Sequence, residues 1–492
     1  MTTFDAATLL PVLAPAIGAL LVLVVDIIVP RAFGVHYAIA FISLVVGVFG
    51  TTDALSAGPG DVRQTLCLPA GGTCFYTVSG LTAALQLAAL VATGITLLLA
   101  WPLEPRGDRD RTAVTLSLLL AATSGAVGVA AARDLGSWLV TLELATLPVV
   151  ALAALTGTRR ALAGAIQLLT TSIVSFAVLT LAAACWYAAT GSPSLTSAAA
   201  LAATSTPQRG LLALSVVLVL AGIGFKLSLV PFHAWTPTAY AGAPLPIAAF
   251  LAGVSKVAAL GALLVVITAV ASLGKAALIG TAVLAVASMT LGNLVALRQD
   301  DVVRLLAWST VAQAGWVVLP LISVSSLGAR SSAAYLLTYL VATLVVFTAV
   351  AVTIRGSRGR SGRRLTAYRG LVRSHPFVGG ALALGLLSLA GLPPGVLGLI
   401  GKVVALRPVV IEGWWVIAVI AAVNAVLGAA VYLRWLRVML EPAPAPAAPA
   451  AAVAPVAPVV TAHLSHRVAL SIGVLVLITL SVQPQILLGL LT

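Results

Sequence analysis

The sequence predicts an all-α polytopic membrane protein with about fourteen transmembrane helices. Hydrophobic residues make up 61% of the 492 residues and charged residues only 8%, whereas soluble domains carry about 25% charged residues. The mean hydropathy is +1.14. The sequence also lacks the alternating ten-residue segments that are typical of an outer-membrane barrel. A water-soluble fold of this length could not bury so much apolar surface.

Fourteen apolar runs account for the predicted helices. A helix needs roughly 20 residues to cross a hydrocarbon core of ~30 Å. The runs lie near 8–29, 36–50, 79–101, 113–132, 135–155, 161–188, 210–230, 244–270, 275–297, 301–323, 332–354, 377–404, 414–438 and 468–490. The second run is the shortest of them.

The runs divide the chain into five parts. We predict three N-terminal helices in 1–112, five helices in each of 113–270 and 271–440, a linker in 441–465, and the last helix in 466–492. The linker is rich in proline and alanine, a composition that is typical of an extended spacer without a packed core.

Helix breakers interrupt two of the runs close to a lysine. Pro231 follows Lys226 in the seventh run, and the pair Pro393 and Pro394 precedes Lys402 in the twelfth. Both runs are the fourth helix of their five-helix unit. Paired interrupted helices at corresponding positions indicate an inverted-repeat transporter with its working site at the breaks.

The basic residues predict how the chain is oriented in the membrane. With the N-terminus outside, eighteen arginines fall in cytoplasmic loops and six basic residues in outside loops. Because cytoplasmic loops are enriched in Lys and Arg, both termini are predicted to lie outside the cytoplasm. The net charge of +14 does not indicate nucleic-acid binding, since the basic residues are sparse and scattered. The arginine-rich segment 355–373 is predicted to be a solvated loop near anionic lipid headgroups rather than a binding site for a specific anion.

The cysteines suggest a disulfide and no metal site. Cys67 and Cys74 fall in the long second outside loop and could form a disulfide in an oxidising space, whereas Cys185 lies within a helix. Their spacing fits no zinc pattern.

Four ionisable residues lie inside the apolar runs, where each costs at least ~2.5–3.5 kcal/mol. They are Glu143, Lys226, Lys256 and Lys402. The alternative for each lysine is that its ammonium reaches the interface along a buried stem. Lys402 could do so because a loop follows it, and Lys226 because Pro231 interrupts the run after it, but Lys256 is too central. Glu143 has a shorter side chain and cannot reach far.

The chemistry that these residues predict is proton movement. Burial disfavours the charged form of either group, so both kinds can exchange protons near neutral pH. The sequence holds no phosphate-binding loop and no cysteine set for an iron–sulfur cluster. His233 lies in a loop-like stretch, where a structural role is as well supported as a proton-relay role.

Several segments resemble the antiporter-like membrane subunits of respiratory complex I and of Mrp-type cation/proton antiporters. The most specific segment is FKLSLVPFHAWTPTAYAGAPLPIAAFLAGVSK at 225–256. Others are SWLVTLELATLPVVALAAL (137–155), DDVVRLLAWSTVAQAGWVV (300–318), LLSLAGLPPGVLGLIGKVVAL (386–406) and AVNAVLGAAVYLRWLRVML (422–440).

The resemblance implies fourteen helices with two inverted five-helix repeats, each with a broken helix, around a central hydrophilic axis. The family's proton-carrying residues fall on Glu143, Lys226, Lys256 and Lys402. The resemblance also implies that this chain carries no cofactor. NADH, FMN, iron–sulfur clusters and quinone belong to partner subunits, and the chain lies with other membrane subunits in a bacterial cell membrane.

The chain departs from the family pattern at three places, one of which is a spacing from the pair Pro393 and Pro394 to Lys402 that is one residue longer than usual. Gln313 stands where members commonly have a histidine, so the central relay is predicted to pass through water held by a glutamine that does not titrate. Thr238 and Ala241 replace two acidic residues in a loop. Ionic contacts that those acids make to a neighbouring subunit are therefore in doubt.

Three functions are compatible with the sequence. The first is a proton-translocating membrane subunit of an NADH–quinone oxidoreductase, with Glu143 paired to Lys226. The second is a D-like subunit of a multisubunit sodium/proton antiporter. The third, a scaffold for neighbouring subunits, is disfavoured because a scaffold has no reason to keep four costly charges.

Overall fold

The computed structural model of the protein describes residues 4–30, 32–56, 58, 60–68, 73–101, 111–195, 206–271, 275–356, 362–442 and 463–491. Thirteen spans within these residues are long and apolar enough to cross a membrane. The remaining predicted run, 377–404, is divided between two shorter helices. The prediction of an all-α membrane protein with about fourteen transmembrane helices is confirmed.

The N-terminal part holds three helices and one small sheet. Its elements are α1 (Ala6–Ile28), α2 (Phe33–Leu55), β1 (Val62–Cys67), β2 (Cys74–Ser79) and α3 (Gly80–Ala100). The second helix has 23 residues rather than the predicted 36–50. It is longer because polar residues near its C-terminus, which end the hydropathy run, continue the helix.

The loop between α2 and α3 contains an antiparallel hairpin that the sequence analysis did not predict. Cys67 pairs with Cys74 across β1 and β2, and a disulfide joins them. The backbone N–H of Asp5 donates to Thr65 Oγ1 of the hairpin at 2.9 Å. The Asp5 carboxylate accepts from the N–H of Ala7 and so caps α1. The hairpin therefore covers the end of the bundle where α1 begins.

The fourth to eighth spans comprise eight helices, because three of the spans are interrupted. They are α4 (Thr112–Ala131), α5 (Leu135–Leu144), α6 (Leu147–Ala154), α7 (Arg159–Thr190), α8 (Thr206–Leu227), α9 (Trp235–Gly242), α10 (Leu245–Ala252) and α11 (Val254–Ala271). The break between α8 and α9 was predicted. The interruptions at Ala145–Thr146 and at Gly253 were not.

The ninth to fourteenth spans complete the bundle. Their elements are α12 (Lys275–Ala296), α13 (Val302–Val318), a 3₁₀ turn (Leu319–Ser323), α14 (Ser326–Gly356), a second 3₁₀ turn (Leu365–Tyr368), α15 (Leu371–Ser374), α16 (Pro376–Ala390), α17 (Val396–Ile411), α18 (Trp415–Leu440), α19 (Leu464–Val482) and α20 (Pro484–Gly489). Most of the predicted linker 441–465 lies outside the described residues, and the five-part division of the chain stays a prediction.

The second predicted break separates α16 from α17. Gly391 ends α16 with a φ of +77°, a left-handed conformation that favours glycine. A Cβ on Gly398 would lie 1.6 Å from the Ser388 carbonyl oxygen. Only glycine therefore lets α17 pack this closely on the end of α16.

Arginines gather at one end of the bundle, where they join loops that are distant in sequence. Arg434 pairs with Asp300 at 2.6 Å, and Arg363 donates to the Ala241 carbonyl at 2.7 Å. Burial lowers the pKa of Arg363, while the nearby Asp301 carboxylate favours its charged form. Arg363 is therefore only partly solvated, because it contacts the end of α9, whereas Arg364 and Arg369 are exposed. Residues 357–361 of the predicted solvated loop lie outside the described residues.

The cysteines offer a test of the predicted orientation. If the hairpin faces the outside, a membrane-impermeant thiol reagent will label Cys67 and Cys74 in intact cells after reduction of their disulfide. Cys185, within α7, will stay unlabelled and serves as the internal control. Labelling of the pair only after the cytoplasmic face has been opened would invert the orientation.

Candidate functional site

Glu143 and Lys226 form an ion pair inside the bundle. Lys226 Nζ lies 2.8 Å from Glu143 Oε1, and the two side chains are only 6% and 13% exposed. The same Nζ donates to Thr146 Oγ1 at 2.7 Å. Thr146 follows the end of α5, so the interruption between α5 and α6 places a carboxylate and a hydroxyl on one ammonium. These contacts compensate the burial of both charges.

Lys256 is joined to Lys226 through the break after α8. Its Nζ donates to the Lys226 carbonyl at 2.8 Å and to Ser228 Oγ at 2.6 Å. That carbonyl is free to accept because α8 ends at Leu227. The ammonium also lies 5.0 Å from the centre of the Trp235 ring. Lys256 has no carboxylate partner among the described residues, so its burial depends on these neutral contacts.

Thr146 and Ser228 are site residues that the sequence analysis missed. Ser228 has a φ of +69°, and its Oγ also accepts from Thr236 Oγ1 at 2.7 Å. Both residues carry a hydroxyl within an apolar span and stand beside a helix interruption. A serine or threonine that lies within an apolar run and a few positions from a helix-breaking residue is the sequence pattern that would have identified them.

Gln313 lies in a separate polar cluster between α13, α14 and α18. The Tyr335 hydroxyl donates to Gln313 Oε1, and Gln313 Nε2 donates to the Tyr432 hydroxyl at 2.9 Å. Tyr432 in turn bonds Ser309 Oγ at 2.6 Å. Two tyrosines therefore bind the Gln313 amide directly, and the passage of the central relay through water at Gln313 stays a prediction.

Lys402 lies at the second break and not at the interface. Its side chain is buried, and Nζ donates to the Ala390 carbonyl, the last of α16, at 2.5 Å. The ammonium lies 5.8 Å from the centre of the Trp316 ring, and that ring stacks on Tyr335 at 5.7 Å. The alternative that Lys402 reaches the interface is wrong. Lys256 and Lys402 thus each bind a backbone carbonyl at the end of a broken helix.

The structure does not bring His233 together with the lysines. His233 lies in the first break, and its ring packs against Trp308 with 5.1 Å between the ring centres. Its Nδ1 is buried without a hydrogen-bond partner among the described residues. Packing therefore accounts for His233 as well as a relay does, and its role stays a prediction.

A small cavity adjoins the ion pair. It has a volume of about 30 Å³ and is lined by Thr146, Lys226, Trp235, Ser255 and apolar side chains. A space of about 10–15 Å³ is enough for one water when polar partners are present. The arrangement can hold a proton on Lys226 or on Lys256, and a water in the cavity would solvate the proton on Lys226. Within the described residues no group of three His, Cys, Asp or Glu side chains could hold a metal ion.

Comparison with known proteins gives a consistent result. A family described as "NADH:quinone oxidoreductase/Mrp antiporter, TM" matches residues 132–428. The chain is 38% identical to NADH-quinone oxidoreductase subunit N of Salinispora tropica, over 88% of this chain and 84% of the relative. It is 36% identical to subunit N 2 of Streptomyces griseus, over 90% and 84% of the two chains.

Two solved structures share the fold over nearly the whole chain. A chain of respiratory complex I from Thermus thermophilus superposes with a TM-score of 0.79 and 29% identity, covering 97% of this chain and 98% of that one. A chain of the Mrp complex from a Dietzia species has a TM-score of 0.83 and 20% identity, covering 99% and 96%. The second likeness shows the fold alone.

Proposed function

The chain belongs to the NADH:quinone oxidoreductase/Mrp antiporter family of membrane proteins, and we propose on this premise that it translocates protons as a membrane subunit of an NADH–quinone oxidoreductase. One observation carries the proposal: the buried Glu143–Lys226 pair is linked to Lys256 through the backbone of a broken helix. Burying four ionisable residues within one bundle is costly, so their presence indicates a function such as proton transfer.

Each of the four residues has a role in this proposal. While the Glu143–Lys226 pair is closed, both groups favour their charged forms. When the pair opens, Lys226 can release its proton. Lys256 relays the proton centrally, and Lys402 relays it towards the outside. No covalent chemistry is required.

The redox reaction belongs to other subunits in this proposal. NADH, FMN, iron–sulfur clusters and quinone are bound by partners, and quinone reduction drives the proton movement in this chain. Its relatives from Salinispora and Streptomyces are named as subunits of NADH-quinone oxidoreductase, which supports assembly with other membrane subunits. We place the chain in a bacterial cell membrane with both termini outside the cytoplasm.

Copurification tests the assembly that the proposal requires. The tagged chain, extracted from its native membrane in mild detergent, is expected to elute with flavin and iron–sulfur subunits and with NADH–quinone reductase activity. Elution with small membrane subunits alone, without flavin, would instead identify a D-like subunit of a multisubunit sodium/proton antiporter.

Substitution of Gln313 tests the central part of the path. Gln313→Leu leaves the Tyr335 and Tyr432 hydroxyls without their amide partner, and an unsatisfied buried polar group costs about 1–3 kcal/mol. We expect slower proton uptake from this variant. Gln313→His keeps a donor and an acceptor and is expected to be tolerated. The measurement is quinone-dependent proton uptake into inverted membrane vesicles, normalised to assembled complex. Full activity of the leucine variant would remove Gln313 from the path.

A further inference from the structure

Ser388 is a buried hydroxyl at the second break that none of the contacts described so far explains. It lies on α16, two residues before the helix ends at Ala390, and only 1% of it is exposed. Its Oγ has no hydrogen-bond partner among the described residues. Buried polar atoms nearly always have a partner, so this hydroxyl requires an explanation.

The Ser388 hydroxyl lies at a small cavity with a polar lining. The cavity has a volume of about 10 Å³, which is close to the space that one water needs. Its polar lining consists of Gln313, Tyr335, Thr338, Tyr339 and Ser388. A water at this place would have the two to four hydrogen-bonding partners that buried waters have.

The cavity joins the Gln313 cluster to the break that holds Lys402. Gly398 of α17 also lines the cavity and lies directly against the Ser388 backbone. The Lys402 ammonium binds the Ala390 carbonyl, which is two residues along the chain from Ser388. Ser388 therefore lines the cavity beside the Gln313 cluster and lies two residues from the carbonyl that binds the Lys402 ammonium.

Gln313 cannot itself pass a proton along this path. Its amide oxygen accepts from Tyr335 and its amide nitrogen donates to Tyr432. A glutamine side chain has one acceptor oxygen and an NH₂ group that only donates, so it can orient the two phenols but does not replace a titrating histidine. A proton that reaches Lys402 needs hydroxyl groups or water beside this amide.

We propose that one water binds in this cavity and that Ser388 and this water form the proton relay between the Gln313 cluster and Lys402. The inference rests on the proposed function and assigns a further residue to it. An incoming proton bonds to the water oxygen, and one of the water's own protons moves to Ser388 Oγ. The original hydroxyl proton of Ser388 then leaves towards Lys402, which accepts it as a neutral amine after its own proton has passed on towards the outside. Each oxygen ends neutral, and no oxidant or reductant takes part.

Removal of the hydroxyl tests the relay. Ser388→Ala is expected to lower proton uptake by about fivefold per assembled complex, the effect of losing roughly one buried hydrogen bond in the transfer step. The ratio of rates in H₂O and D₂O is expected to rise, because proton transfer at this step becomes slower than the steps around it. A purely structural role would not change that ratio. Ser388→Thr keeps a hydroxyl and is expected to retain most of the uptake.

Ser172→Ala is the matched control, since Ser172 is also a buried serine without a partner among the described residues, on α7 and away from the cavity. Its uptake and isotope ratio are expected to match the wild type. A Ser388→Ala variant with wild-type uptake and an unchanged isotope ratio would overturn the relay.

Lys402→Met, measured in parallel, separates this inference from the proposed function. If Lys402→Met is impaired and Ser388→Ala is not, the relay is wrong and the proposed function stands. If neither is impaired, the proposed function fails as well. Should the Ser388 variants not assemble, cryo-electron microscopy of the wild-type complex decides the matter. Density for a water within hydrogen-bond distance of Ser388 Oγ and of the Gln313 amide supports the relay, and a cavity without such density overturns it.

Discussion

The double variant Glu143→Gln with Lys226→Met is expected to assemble well and yet to remain strongly impaired in proton uptake. The two side chains make one ion pair with 2.8 Å between the charged atoms. Removing both charges leaves neither member of this pair as an unpaired ion, so the fold is expected to tolerate the change. The variant nevertheless lacks a titratable lysine in the first broken helix.

The single variant Lys226→Met supplies the contrast. It leaves the Glu143 carboxylate buried without its partner, and breaking a buried pair in this way costs about 3–5 kcal/mol. We therefore expect less assembled complex from the single variant than from the double variant. If the pair is only structural, the double variant will restore both assembly and proton uptake. Wild-type uptake by the double variant would contradict a gating role for the pair.

Lys256→Met is expected to lower proton uptake by about a hundredfold, the lower end of the effect of a positioned proton-transfer group. Lys256 is 2% exposed, and its ammonium connects the Lys226 carbonyl with Ser228. Methionine has a similar length and fills the same space, so the variant removes the proton carrier with little change in packing.

Ser228→Ala is the graded control for Lys256. It removes one of the two acceptors of the Lys256 ammonium and leaves the other, the Lys226 carbonyl, in place. We expect a decrease of about fivefold, as for one lost hydrogen bond. Both variants are measured by quinone-dependent proton uptake into inverted vesicles, normalised to assembled complex. An active Lys256→Met variant would remove Lys256 from the path.

The sequence was sufficient to predict the spans, the two broken helices and the residues of the ion pair. Apolar runs have a length that the bilayer dictates, and a charge inside such a run is conspicuous because it is costly. Lys226 and Glu143 are 83 residues apart. Their pairing could be expected only from the resemblance and from the need of each buried charge for a partner.

The interruptions beside Glu143 and Lys256 could not be predicted from hydropathy. Thr146 and Gly253 lie within runs that remain apolar on average, so a hydropathy value averaged over about 20 residues does not detect the interruptions. The same limit applies to the Gln313 cluster. Tyr335 and Tyr432 come from α14 and α18, and only the packing of these helices on α13 brings their hydroxyls to one amide.

The central claim is that Lys226 carries a proton that it must release, and Lys226→Arg tests this most directly. Arginine keeps the positive charge and can bind the Glu143 carboxylate, but it does not release its proton in proteins. The measurement is the number of protons taken up by inverted vesicles per NADH oxidised, with the amount of assembled complex determined in parallel. The account predicts a complex that assembles and takes up fewer protons per NADH than the wild type. A wild-type ratio in Lys226→Arg would contradict it.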